Sequence, residues 1–127
     1  MDGPATLLML AFLILAGSLL SLGCDPLTIE DVGLTKKEAW LAGRVAHWAE
    51  VFEVEGVSTE FEKHERNGMS AWADTFGKVV HFHRGYVEVT DAVSLDFTAA
   101  HEVAHLSGRC PGEAGASECA RNSWHLR

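Results

Sequence analysis

The chain has 127 residues, and after Asp2 its next charged side chain is Asp25, so the opening fifth is almost wholly apolar. Setting that segment aside leaves about 104 residues, which suffices for one small domain burying roughly 60 to 65% of its unfolded surface and excludes a two-lobed enzyme. The formal net charge of -8 is the opposite of what tracking phosphates needs, so nucleic acid is excluded as a partner, and fractions of 47% hydrophobic and 22% charged fit a folded core.

Thr6 to Gly23 carries no charge over 18 residues, at the edge of a bilayer span and long for a secretory apolar region. Ser21 and Gly23 stand three and one before Cys24, as an export peptidase requires, and Asp25 and the helix-breaking Pro26 follow. The run Leu20-Ser21-Leu22-Gly23-Cys24 resembles a bacterial lipoprotein box. It departs from that pattern in having Ser21 where leucine is usual and no basic residues before the apolar run. The resemblance implies a leader over 1–23, lipidation at Cys24 and a domain held at the membrane of the cell envelope. An uncleaved anchor helix and cleavage to a soluble form stay open, and all three place the domain outside the cytoplasm.

With Cys24 assigned to lipid, Cys110 and Cys119 remain as a pair in an oxidising compartment, and a disulfide is expected. Closing a loop of about ten residues stabilises by roughly 2 to 3 kcal/mol. The alternative, two zinc thiolates, lacks a CxxC spacing.

Residues 24–34 read as a tether, and 35–127 as the domain. Thr35-Lys36-Lys37-Glu38 is a capping box, and Trp40, Leu41, Val45, Trp48, Ala49 and Phe52 recur at helical spacing, which predicts an amphipathic helix over 36–52. His47 lies near its polar border, where a lone histidine is more often solvated or packed than a ligand. Between 53 and 77, Val57, Thr59 and Phe61 alternate as in a strand, Asn67-Gly68 signals a turn, and Trp72 and Phe76 read as core aromatics. Lys78 to His83 and Tyr86 to Thr90 are runs of β formers around Arg84-Gly85, which predicts a hairpin. His81 and His83 share one face of its first strand, a pairing that suits either metal binding or a solvated face.

Asp96 is the expected N-cap of a helix over 97–107, stopped by Gly108 with Pro111 beyond. Inside it stands His101-Glu102-Val103-Ala104-His105. On a helix, residues i and i+4 lie one above the other, so both imidazoles project toward one tetrahedral ion. Glu102 sits about 100° further round, able to reach a water but not naturally a ligand, which makes it the candidate general base. A chain of this composition would show the pattern about 0.04 times by chance.

The segment TAAHEVAHLSG resembles the active-site helix of the zincin metallopeptidases. That likeness implies zinc as cofactor, a peptide or protein substrate, and hydrolysis by a zinc-bound water with Glu102 as general base. The longer HExxHxxGxxH form matches as far as Gly108 and fails at Pro111, which takes the place of the third ligand. The gluzincin form draws its third ligand from a glutamate on the next helix. Glu113 and Glu118 are the candidates, and Glu118 is preferred, with Ser117 capping a short helix that starts there. A Cys110–Cys119 bridge would then clamp the ligand's neighbour onto the end of the zinc helix. Tyr86, His83 and His125 are candidate oxyanion donors, and the hairpin at 78–90 is the expected edge for an added substrate strand. The resulting expectation is an α+β fold: a minimal zincin-like domain with an N-terminal helix, a small antiparallel sheet or hairpin, the HExxH helix and a short C-terminal helix. The competing reading is a non-catalytic zinc-binding or interaction lipoprotein on a degenerate peptidase fold.

Overall fold

A computed structural model describes residues 33–127. The leader, Cys24 with its lipidation, and nearly all of the tether lie outside the described residues. Within those described, no helix is long and apolar enough to cross a membrane.

The elements run α1 (Lys36–Val51), β1 (Ser58–Glu62), β2 (Ala71–Asp74), β3 (Val79–His83), α2 (Arg84–Val89), α3 (Ala92–Ser107) and α4 (Gly112–Asn122), closed by a 3-10 turn at Trp124–Leu126. The fold is α+β. Its three strands lie in the order β1-β3-β2, with β1 parallel and β2 antiparallel to β3. The sheet is therefore mixed, where an antiparallel one was expected.

α1 begins as the capping box requires: Thr35 Oγ1 accepts from the Glu38 amide at 3.0 Å, and Glu38 Oε1 accepts from the Thr35 amide at 3.1 Å. Its apolar stripe of Leu41, Val45 and Trp48 is fully buried, packed in one core with Leu95, Ala99 and Val103 of α3 and Val80 and Phe82 of β3. Trp48 stacks on Trp124 at 5.7 Å and on Phe52 at 5.9 Å.

Three local expectations are corrected. Asp96 is not an N-cap. The helix starts five residues earlier, where Asp91 accepts from the Ser94 amide at 3.0 Å and the Ser94 hydroxyl at 2.8 Å. Asp96 instead lies buried on α3, and its Oδ1 accepts from Trp48 Nε1 at 2.7 Å and Arg44 Nε at 2.9 Å. That pair of bonds ties α1 to α3 and leaves the buried carboxylate satisfied.

The hairpin is the second. The hairpin partner of β3 is β2, across a turn at 75–78 in which Asp74 Oδ1 accepts the amides of Phe76 and Gly77 at 3.0 and 3.2 Å. Phe76 rides on the tip of that turn, 99% exposed, and is no core aromatic. The run Tyr86–Thr90 contributes to α2 rather than to a strand. Its Val87 buries in the core, Tyr86 Oη pairs with Thr98 Oγ1 at 2.8 Å, and Lys37 Nζ donates to the Glu88 and Thr90 carbonyls that the short helix leaves open. Tertiary contacts here outweigh β propensity.

The third concerns α4. It starts at Gly112, with Ser117 in mid-helix, so Ser117 caps nothing. Gly115 is suited to its place because α4 docks close to the preceding loop: a Cβ there would meet the Cys110 carbonyl carbon at 3.0 Å. α3 ends as expected, with Gly108 in the left-handed region at φ 73°. Cys110 and Cys119 are joined by a disulfide across this corner, their Cα atoms 6.3 Å apart.

Candidate metal centre

α3 turns its small apolar residues inward, with Ala99, Ala100, Val103 and Ala104 fully buried, so His101 and His105 stand one turn apart on its flank. Their Nε2 atoms lie 3.1 Å from each other. Glu113, in the first turn of α4, reaches over both: Oε1 is 2.8 Å from His101 Nε2 and Oε2 is 3.1 Å from His105 Nε2. Donors on a tetrahedral zinc, with bonds of about 2.0 to 2.1 Å, stand roughly 3.3 Å from one another. One donor atom from each of the three residues lies within 4.8 Å of the others, so the group could hold a metal ion, and imidazole with carboxylate is a donor set that suits zinc among others.

The preferred third ligand, Glu118, is not in this group. It follows Ser117 by one residue, about 100° round α4, and lies exposed. Glu113, the other candidate, takes the position because α4 begins six residues earlier than expected. Starting the helix immediately after Pro111 would have put Glu113 and Ser117 on one face, which was the available signal.

Ser117, expected as a helix cap, serves the donor group instead. Its Oγ lies 3.0 Å from His101 Nδ1. With a metal on Nε2, Nδ1–H would donate to that oxygen, which is the tautomer a metal ligand needs. The disulfide holds α4, and with it Glu113 and Ser117, against the end of α3.

Glu102 is buried at the edge of an open cleft of about 650 Å³, whose walls include His105, Glu113 and the β2 segment from Ser70 to Ala73. Burial, reinforced by the charge of Glu113, pushes the Glu102 carboxyl up to about 7. Glu113 moves the other way, its hydrogen bond to His101 and the two imidazole charges holding it below the ordinary carboxylate value. A cation at the three donors would favour ionised Glu102.

The remaining candidates lie elsewhere. His47 Nε2 bonds the Leu126 carbonyl at 2.7 Å, a structural role. Tyr86, His83 and His125 do not line the cleft, so none is placed as an oxyanion donor. His81 and His83 alternate with the buried Val80 and Phe82 and occupy the outer face of the sheet.

No protein-family model matches the chain, and neither the curated proteins nor the solved structures searched contain a match.

Proposed function

We propose that the chain is a zinc-dependent peptidase of the cell envelope, in which His101, His105 and Glu113 hold the metal and Glu102 is the general base. One observation carries the reading: His101, His105 and Glu113 each offer a donor atom within 4.8 Å of the others, beside a buried carboxylate that accepts no hydrogen bond from a protein group among the described residues and borders an open cleft.

Zinc, when bound, supplies Lewis-acid chemistry, lowering the pKa of water and polarising a carbonyl. The chain's own residues do the rest. Ser117 fixes the His101 ring, and the disulfide fixes the helix that bears Glu113. Glu102 accepts the proton of the attacking water and returns it to the leaving nitrogen. Among the described residues β2 pairs on one side only, with β3, and its other edge borders the cleft, so a substrate backbone can add there as a further strand. Residues 71–74 thus replace 78–90 as the substrate edge. Export and lipid anchoring at Cys24 are supported by the apolar run before it and by a disulfide that belongs to an oxidising compartment.

The test is Glu102→Gln in the full chain, loaded with zinc and assayed on quenched fluorogenic peptides. The expected result is an unchanged zinc content with hydrolysis reduced about 10²- to 10⁴-fold. Activity retained in Glu102→Gln overturns the assignment of the base. A zinc-loaded wild type inert toward a broad peptide library leaves the non-catalytic zinc-binding reading in its place.

A further inference from the structure

The outer face of the sheet carries a second set of donors that the cleft does not use. Alternation along β3 buries Val80 and Phe82 toward the helices and turns His81 away from them. The parallel register sets Glu60 of β1 directly beside His81, and Glu62, two residues on, shares the face of Glu60. His81 Nδ1 lies 2.7 Å from Glu62 Oε2 and 3.7 Å from Glu60 Oε1. One donor atom from each of the three residues falls within 4.8 Å of the others.

The imidazole is fixed in place. Trp72, its register partner on β2, stacks on it with centroids 5.0 Å apart and planes 8° from parallel. The His81 side chain is only 15% exposed, while the Glu60 and Glu62 side chains open to solvent at 59% and 35%. A solvent-borne ion can therefore enter from the carboxylate side.

A plain ion pair leaves this arrangement unbalanced. Nδ1 carries at most one hydrogen and can satisfy one carboxylate, which is Glu62 at bonding distance. Glu60 then adds a second like charge on the same strand face with no bond to offset it. A dication in the same space answers both carboxylates and accepts the imidazole lone pair. We propose that Glu60, Glu62 and His81 form a second divalent-cation site, independent of the cleft. The imidazole, a ligand suited to zinc, copper and nickel, selects those ions over magnesium or calcium, which prefer oxygen donors alone.

The probe is zinc itself, its content measured in the detergent-solubilised full chain after equilibration at micromolar free zinc, with tryptophan emission followed in parallel. Two equivalents are expected in the wild type. The double variant His101→Ala/His105→Ala keeps one, and addition of that one perturbs the emission of Trp72. His81→Ala and, separately, Glu60→Gln/Glu62→Gln also keep one, which is the equivalent held at the cleft. Should His81→Ala fail to fold, the Glu60→Gln/Glu62→Gln variant, altered only at carboxylates open to solvent, decides the question. An unchanged zinc count in that variant overturns the proposal. So does a wild type that takes a single equivalent which His101→Ala/His105→Ala removes. One equivalent lost only in Glu60→Gln/Glu62→Gln supports this site and removes the zinc reading of the cleft.

Discussion

Histidines meet carboxylates in two regions of this domain, and the two are built differently. In the corner between α3 and α4, His101 and His105 are fixed by helical repeat alone, and Glu113 is delivered by a helix that begins only seven residues after His105. On the outer face of the sheet, His81 meets Glu60 and Glu62 because two strands about twenty residues apart pair in one particular register. A helix carries its geometry inside the chain, whereas a strand borrows its geometry from a neighbour. The first group can be read from a short window of residues and the second cannot.

The contrast can be broken most forcefully at α3. His101→Ala should abolish stoichiometric zinc at the cleft while the core persists, read as zinc content beside near-ultraviolet circular dichroism; a retained cleft equivalent would separate the helix pair from metal binding. Next in size, Glu113→Ala should weaken zinc binding by about 100-fold or more, and Glu118→Ala should leave it unchanged, measured by competition with a chromophoric chelator. Equal effects from the two would undo the ligand assignment made from α4. Ser117→Ala is the finer probe. Loss of a partner that orients a ligand typically lowers metal affinity about 10- to 100-fold, and the expectation here is the low end because Nδ1 can turn to water.

The smallest effect concerns the start of the helix. Ser94 hydrogen bonds hold Asp91 below its ordinary value, so its contribution to stability is present above pH 3.8 and fades as the pH falls through the lowered folded value. Asp91→Asn keeps a capping side chain without a titrating charge. Urea midpoints measured at neutral pH and near pH 3 should converge for that variant relative to wild type; an unaltered difference would place the acid sensitivity elsewhere.

What was legible in the residues follows the same division. The capping box at Thr35 and Glu38, the stripe of α1, the HExxH pair and the Gly108 stop are all local, and each lies where the sequence puts it. The start of α4 was hidden because Gly112 and Gly115 look like loop, and the reason for Gly115, close approach to Cys110, is a contact between elements. Tyr86 to Val89 have the composition of a strand, yet Val87 finds its burial in a helical turn against α1. The order β1-β3-β2 was out of reach, since it places the last strand between the first two. Asp96 was misread for a related cause: it satisfies the local rule for an N-cap, and only Trp48 and Arg44, some fifty residues earlier, show that it serves the core instead.

The disulfide between Cys110 and Cys119 also bears on the order of events in folding. His101, His105, Glu113 and Ser117 all lie within one stretch of seventeen residues, and the bridge closes a short loop that spans its second half and ends two residues past it. Short loops are entropically easy to close, so this corner can gather its donors before the mixed sheet has found its register. An ion captured there during refolding would then act as a local nucleus, and the slow step left to the chain would be the parallel docking of β1 on the β2–β3 hairpin.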